Sequence, residues 1–313
     1  MDGVLVVDKP KGPTSHDVVD RARRALRERR IGHTGTLDPF ATGVLPLCLG
    51  RATRLARFLS GGEKVYRASV RLGFATTTDD LTGEPLSEPR PVEIPRATID
   101  EALASLVGSF DQLPPAFSAR RVGGRRLYEL ARRGEAAPRA ATPVTVHALE
   151  VLGFEGDRLE VEVRCSAGTY VRAIARDLGE RLGTGGHLVA LRRTRSGGFD
   201  LSRAVPGDAL GADARDAVVP MSELLPEMPA VRVGERGRAL VGHGRDLGPD
   251  AIEGPFPGPE HPFVRVLDGS GELIALAAAR TFDPGDSGLP RLAALHPDVV
   301  LLDGTGGAGR SSG

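Results

Sequence analysis

The chain has 313 residues, 40% hydrophobic and 26% charged, enough for a sizeable core and for two domains or one with an appendage. No apolar run approaches the roughly 18 residues of a membrane span, the start "MDGVLVVDKPKG" lacks a signal-peptide pattern, and Cys48 and Cys165 belong to no CxxC or CxxH. These features argue against a membrane-spanning helix, a disulfide scaffold and a zinc site, and lead us to expect a cytoplasmic protein. Net charge is zero, but residues 1–200 hold 31 Lys and Arg against 25 Asp and Glu, and residues 201–313 hold 10 against 16. The first part can carry a polyanion-binding face, or the imbalance is chance.

In chain order, Gly3–Val7 reads as a short apolar strand that breaks at Pro10, Gly12 and Pro13. Ser15 is the expected N-cap of a helix in which Val18, Ala22, Ala25 and Leu26 recur at helical spacing. "GHTGTLDPFATG" is a tight loop with one acid, Asp38, and "VLPLCLG" after it is a buried strand. "RATRLARFLS" is a short helix, and "KVYRASVRLGF" alternates as a half-buried strand. "ATTTDDLTGEPLSEPRPVEIP" is a polar connection. "TIDEALASLVGSF" is a helix with a capping box from Thr98 to Glu101.

A basic stretch, Arg120–Arg133, follows Pro114–Pro115. "TPVTVHALEVLGFEG" and "RLEVEVRCSAG" form a strand pair, and a helix starts near Thr169. "HLVALRRTRSGGFDL" is a strand and a turn at Gly197–Gly198. The order is not a repeating βαβ. It predicts an α+β fold with a mixed, largely antiparallel sheet and flanking helices. After about residue 228, short strands around Gly and Pro turns predict a small β-rich module, and the last residues a flexible tail.

An acid before proline is either a turn former or a carboxylate held still for chemistry, such as attack at a sugar C1′. No second acid stands at an obvious glycosidase spacing. Arg172, near a helix start, can pair with Asp38, meet a phosphate or lie on the surface. Tyr66 packs in a core or stacks on a nucleobase. His33 reads as a loop hydrogen-bonder, and one histidine is no metal site. "GGHLVALRR" and "RVGGRR" are weak phosphate-loop signals.

Five blocks in order, "VLVVDKPKGPTSHDVV", "GHTGTLDPFATGVLPLCLGRATR", "KVYRASVRLG", "PPAFSARRVGGRRLYELARRG" and "CSAGTYVRAIARDLGERLGTGGHLVALRRTRSGGF", resemble the TruB family, the bacterial tRNA pseudouridine-55 synthases. The resemblance covers roughly residues 3–205. It implies an enzyme that isomerises a uridine in the T-loop of tRNA without a cofactor or metal. The C1′–N1 bond is cut, the base turns, and it rejoins through C5.

Carried over by the resemblance, Asp38 is the catalytic aspartate, Tyr66 the tyrosine that stacks on the target base, and Arg172 the arginine that pairs with the aspartate. Leu191 packs at the active site, His33 helps hold the flipped T-loop, Tyr170 contacts the substrate, and Lys9 and Pro10 buttress the catalytic loop. Lys9 also stands among the substrate-binding residues. Arg120, Arg121, Arg125 and Arg126 would grip the RNA backbone from a flap. Phe117 stands where the family carries Tyr, and Arg121 where Lys is commoner.

The implied organisation is a pseudouridine synthase domain over 1–225, a PUA-like RNA-binding domain over 226–304 and a tail over 305–313. The implied partner is the tRNA T-arm, with a monomeric chain, no obligatory protein partner and no membrane. Rival readings are a guide-dependent synthase acting on ribosomal RNA, a tRNA-binding or folding protein, and a carboxylate glycosidase.

Overall fold

The amino-terminal apolar run forms β1 (Gly3–Lys9). Leu5 and Val7 enter one core and Val4 and Val6 another, so this strand is buried on both faces. The molecule is described by a computed structural model over residues 1–117, 139–258, 260–282 and 291–302, with the backbone of 121–122 and 125–126.

Helix α1 (Ser15–Leu26) turns Val18, Val19, Ala22 and Leu26 inward. Its cap is Thr14, not the expected Ser15. The Thr14 hydroxyl accepts from the Asp17 N–H at 3.1 Å, and the Asp17 carboxylate accepts from the Thr14 N–H at 2.8 Å. Ser15 lies one residue inside the helix, where its hydroxyl serves the neighbouring loop.

β2 (Ile31–His33) pairs with β3 (Thr42–Leu49), which runs antiparallel to β1. The predicted helix that follows is a 3-10 turn over Gly50–Leu55 and then α2 (Ala56–Ser60). Next come β4 (Lys64–Leu72), α3 (Arg96–Ala104) and β5 (Gly108–Gln112). The capping box expected at Thr98 does not form. Pro95, with φ of −58°, starts α3 earlier, and the Thr98 N–H already donates to the Pro95 carbonyl at 3.0 Å.

β6 (Arg121–Val122) and β7 (Arg125–Arg126) pair as a short ribbon. β8 (Thr142–Glu155), β9 (Arg158–Cys165), α4 (Val171–Arg181) and β10 (Gly186–Ser196) follow. With β11 (Phe199–Asp200), β12 (Val205–Pro206) and β13 (Val219–Pro220) they complete an eleven-stranded sheet. Its main path is β12-β1-β3-β10-β4-β9-β8-β5. The β1–β12 and β3–β10 contacts are parallel and the others along this path antiparallel, giving the mixed, largely antiparallel α+β sheet that the element order predicts.

The β3–β10 contact positions the site. It sets Arg193 beside Gly43 in parallel register, between segments far apart in the chain. Gly43 has φ of +103°, and a Cβ there would lie 2.1 Å from the Arg193 carbonyl oxygen, so only glycine allows this approach.

A second sheet runs β14 (Ala230–Arg232), β15 (Phe263–Leu267), β16 (Leu273–Phe282) and β17 (Arg291–Val300). Helix α5 (Glu235–Gly242) lies in a stretch expected to hold only strands and turns. It forms because Gly237 and Val241 share a buried face, with a Cβ on Gly237 reaching 2.6 Å from the Ala251 carbonyl oxygen. Leu276 and Val299 of this sheet join Val4, Val6 and Cys48 of the first in one core.

Candidate active site

Asp38 sits on the loop between β2 and β3, and buried polar groups hold that loop from several sides. The Lys9 ammonium donates to the carbonyls of Pro10 at 3.0 Å, Pro39 at 3.3 Å and Ala41 at 2.7 Å. The Gly12 N–H donates to the Pro39 carbonyl at 2.8 Å. The Ser15 hydroxyl donates to the Leu37 carbonyl at 3.0 Å and accepts from the Leu37 N–H at 2.8 Å, so it grips both peptide groups of the residue before Asp38. The Ala41 N–H closes the turn on the Asp38 carbonyl at 3.0 Å. The Asp-Pro turn and the positioned carboxylate are therefore one device.

Arg172 comes from the first turn of α4. That helix starts at Val171, after Tyr170, rather than near Thr169. The Gln112 side chain clasps the Tyr170 backbone, accepting from its N–H at 2.8 Å and donating to its carbonyl at 3.1 Å. All three guanidinium nitrogens of Arg172 have partners. Nε meets Asp38 Oδ2 at 2.9 Å, and Nη2 meets Asp38 Oδ1 at 3.3 Å and the Phe117 carbonyl at 2.8 Å. Nη1 meets the Thr78 carbonyl at 3.0 Å and Asp80 Oδ2 at 3.3 Å. The fork fixes the plane of the Asp38 carboxylate as a point charge could not.

Asp80 belongs to the polar connection after β4 and was missed in the sequence. It is 4% exposed, and its Oδ1 accepts from the Thr78 hydroxyl at 2.7 Å, the Thr82 hydroxyl at 2.6 Å and the Thr82 N–H at 2.9 Å. The paired acids in "TTTDDLTG" were the available signal. Asp79 beside it takes Arg176 at 3.1 Å.

Asp38, Arg172, Tyr66, Tyr170 and Leu191 border one cavity of about 560 Å³, together with Thr34, Lys64 and Arg193. That is within the range of small-ligand pockets, roughly 300–1,000 Å³. The Asp38 side chain keeps a third of its surface open. Tyr66 is 8% exposed and stands in β4 between Arg193 of β10 and Val163 of β9.

His33 lies at the end of β2, outside the cavity lining, and its Nδ1 accepts from the Gly35 N–H at 3.3 Å. Lys9 is fully buried under the loop, so its ammonium braces the carbonyls and offers no surface to a substrate. Arg120 and the side chains of Arg121, Arg125 and Arg126 lie outside the described residues, as does the tail 305–313.

Burial pushes the Asp38 carboxyl above the usual carboxylate range. Arg172 pulls against that rise, and the Asp80 carboxylate adds to it. Desolvation is the larger influence, and Arg172 offsets part of it. Burial also raises the Tyr66 phenol, and Arg193 opposes that shift. Burial lowers Lys9 to about 8, against the pull of Asp38.

One carboxylate, held by one guanidinium, thus borders a cavity with an aromatic wall. The model of the TruB family pseudouridylate synthase N-terminal domain matches residues 23–171, and that of the tRNA pseudouridylate synthase B C-terminal domain matches residues 172–225. The chain belongs to the TruB family of pseudouridylate synthases. It is 43% identical to the tRNA pseudouridine synthase B of Solibacter usitatus (strain Ellin6076), over 96% of this chain and all of that one. It is 47% identical to that of Aromatoleum aromaticum (strain DSM 19018 / LMG 30748 / EbN1), over 79% and 81%. Among solved structures it is similar to a Cbf5-Nop10-Gar1 complex, with a TM-score of 0.72 and 28% identity over 96% of this chain and 85% of that one.

Proposed function

We propose that this chain isomerises uridine to pseudouridine at position 55 in the T-loop of tRNA. The observation that carries the reading is the Asp38–Arg172 pair opening onto a cavity bordered by Tyr66. A base inside a helical stack cannot bring its C1′ to Asp38, so the target nucleotide flips out. A T-loop has splayed nucleotides, which lowers the cost of extrusion. The flipped base stacks on Tyr66, with Tyr170 and Leu191 on the cavity wall. Asp38, oriented by Arg172, drives C1′–N1 cleavage, and the base rejoins through C5. No cofactor is required, because the bond made replaces the bond broken.

The 1–225 region is the catalytic domain. The 226–304 region is a PUA-like RNA-binding domain, and Arg120, Arg121, Arg125 and Arg126 grip the T-arm backbone. His33 supports the flipped loop. The chain acts as a cytoplasmic monomer without an obligatory protein partner. In support, relatives named for tRNA share 43–47% identity, while the Cbf5-Nop10-Gar1 structure shares 28%.

The test is to treat an unmodified tRNA transcript with the chain alone and map pseudouridine along it. A single modified site in the T-loop is expected. Modification elsewhere, or only when a guide RNA is added, would overturn the substrate assignment.

A further inference from the structure

Arg193 is 1% exposed, borders the active-site cavity, and has no carboxylate within 4.0 Å among the described residues. Its partners are neutral. Nε donates to the Val44 carbonyl at 2.7 Å and Nη2 to the Gly35 carbonyl at 3.1 Å. Arg172, the other buried guanidinium on this cavity, is answered by two acids. A buried cation without a counter-charge is costly to keep, so a site that keeps one gains from an anion that arrives.

A second observation points the same way. Thr34 borders the same cavity, and its buried hydroxyl has no hydrogen-bond partner among the described residues. Thr34 precedes Gly35, whose carbonyl Arg193 holds, so cation and orphan hydroxyl stand on adjoining parts of the wall. Lys64, also on the cavity, is committed elsewhere. Its ammonium donates to the carbonyls of Ser60 at 3.0 Å and Gly62 at 2.7 Å.

The isomerisation produces a suitable anion. When the C1′–N1 bond breaks, its electron pair stays with the base, whether Asp38 attacks C1′ or removes a sugar proton. The uracil leaves as an anion whose charge is shared by N1, O2 and O4. When C5 bonds to C1′, the pair passes into the new bond. C5 then loses its proton and N1 gains one.

We propose that Arg193, with the Thr34 hydroxyl, is the polar wall that stabilises the negative charge on the departing uracil, making Arg193 a catalytic residue of this reaction. A fixed guanidinium on the cavity wall is placed before the charge develops, so little reorganisation is needed at that moment. The inference rests on the isomerase reading.

The experiment compares single-turnover conversion by the native chain, Arg193→Met and Arg193→Lys on two tRNA transcripts. One carries uridine at the target and the other 5-fluorouridine, and loss of the N-linked nucleoside is followed. Fluorine makes the base a more acidic and better leaving anion. Arg193→Met should lose about 100-fold on uridine, the scale of one preorganised charge-stabilising donor. It should lose several-fold less on 5-fluorouridine, with unchanged tRNA affinity, and Arg193→Lys should fall between.

Equal losses on both transcripts, or no loss in a folded Arg193→Met chain, would overturn the role. If Arg193→Met melts well below the native chain, Thr34→Val replaces it, and its loss must likewise be greater on uridine. A native chain that converts neither transcript sinks the isomerase reading and this role with it. A native chain that converts both, beside variants with equal losses, sinks only the role of Arg193.

Discussion

The active-site cavity and the carboxy-terminal sheet both join acids to arginines, in opposite settings. At the cavity, Arg172 and Asp80 behind it are each 5% exposed at the side chain, and each guanidinium nitrogen of Arg172 has a partner. In the carboxy-terminal sheet, Asp246 takes Arg280 at 3.2 Å and His296 at 2.6 Å, with 40% of the acid and 55% of the arginine exposed. Water can replace either partner in the second cluster and neither in the first. Buried charges therefore fix one geometry at a large desolvation cost, whereas exposed ones add little to position or stability.

The largest effect that would break this contrast is expected at Arg172. Arg172→Met takes from Asp38 and Asp80 the guanidinium that pairs with both. Stability should fall by roughly 3–5 kcal/mol, measured by denaturant unfolding. Conversion of tRNA should fall by about 100-fold or more. A mild loss of both would mean that the buried cluster is no more than the exposed one.

Asp80→Asn comes next and reads the electrostatics directly. The proposed chemistry uses ionised Asp38, whose pKa is raised first by burial and further by Asp80. On acidification, activity should therefore be lost at a pH above the ordinary carboxylate range. Removing the like charge lowers the Asp38 pKa, so the acid limb of kcat/KM should move to lower pH while the plateau drops. An acid limb that does not move would show that Asp38 and Asp80 do not sense each other.

Ser15→Ala removes the hydroxyl from both peptide groups of Leu37. A stability loss of about 1–3 kcal/mol is expected, with kcat reduced more than KM is raised, because the loop positions Asp38. In the exposed cluster, Arg280→Ala should change stability by no more than about 0.5 kcal/mol in a thermal melt.

Much of the frame was legible because it rests on short-range patterns. The strand at Gly3–Val7, the helix stripe Val18–Ala22–Leu26 and the hairpin of β8 and β9 follow from periodicity and turn residues. From the residues alone, Asp38 was one of several possible partners for Arg172, and only the family resemblance singled it out; their meeting depends on the β3–β10 register and on where α4 begins. Ser15 was misread because two adjacent hydroxyls can each cap a helix, and only the fold shows that Leu37 claims one. Asp80 lies in a stretch that read only as a polar connection, and its partner Arg172 is distant in sequence. Arg193 had a signal that went unused: two residues after Leu191 on a strand, it shares a face with a residue already placed at the site.

The most direct measurement is hydrogen release from C5 of a tRNA transcript whose uridines carry tritium there. Rejoining through C5 must expel that atom. The native chain should release it, and Asp38→Asn, folded and still bound to tRNA, should release at least about 10⁴-fold more slowly. No release by a folded native chain, or undiminished release by Asp38→Asn, would contradict the claim that this carboxylate drives a uridine isomerisation.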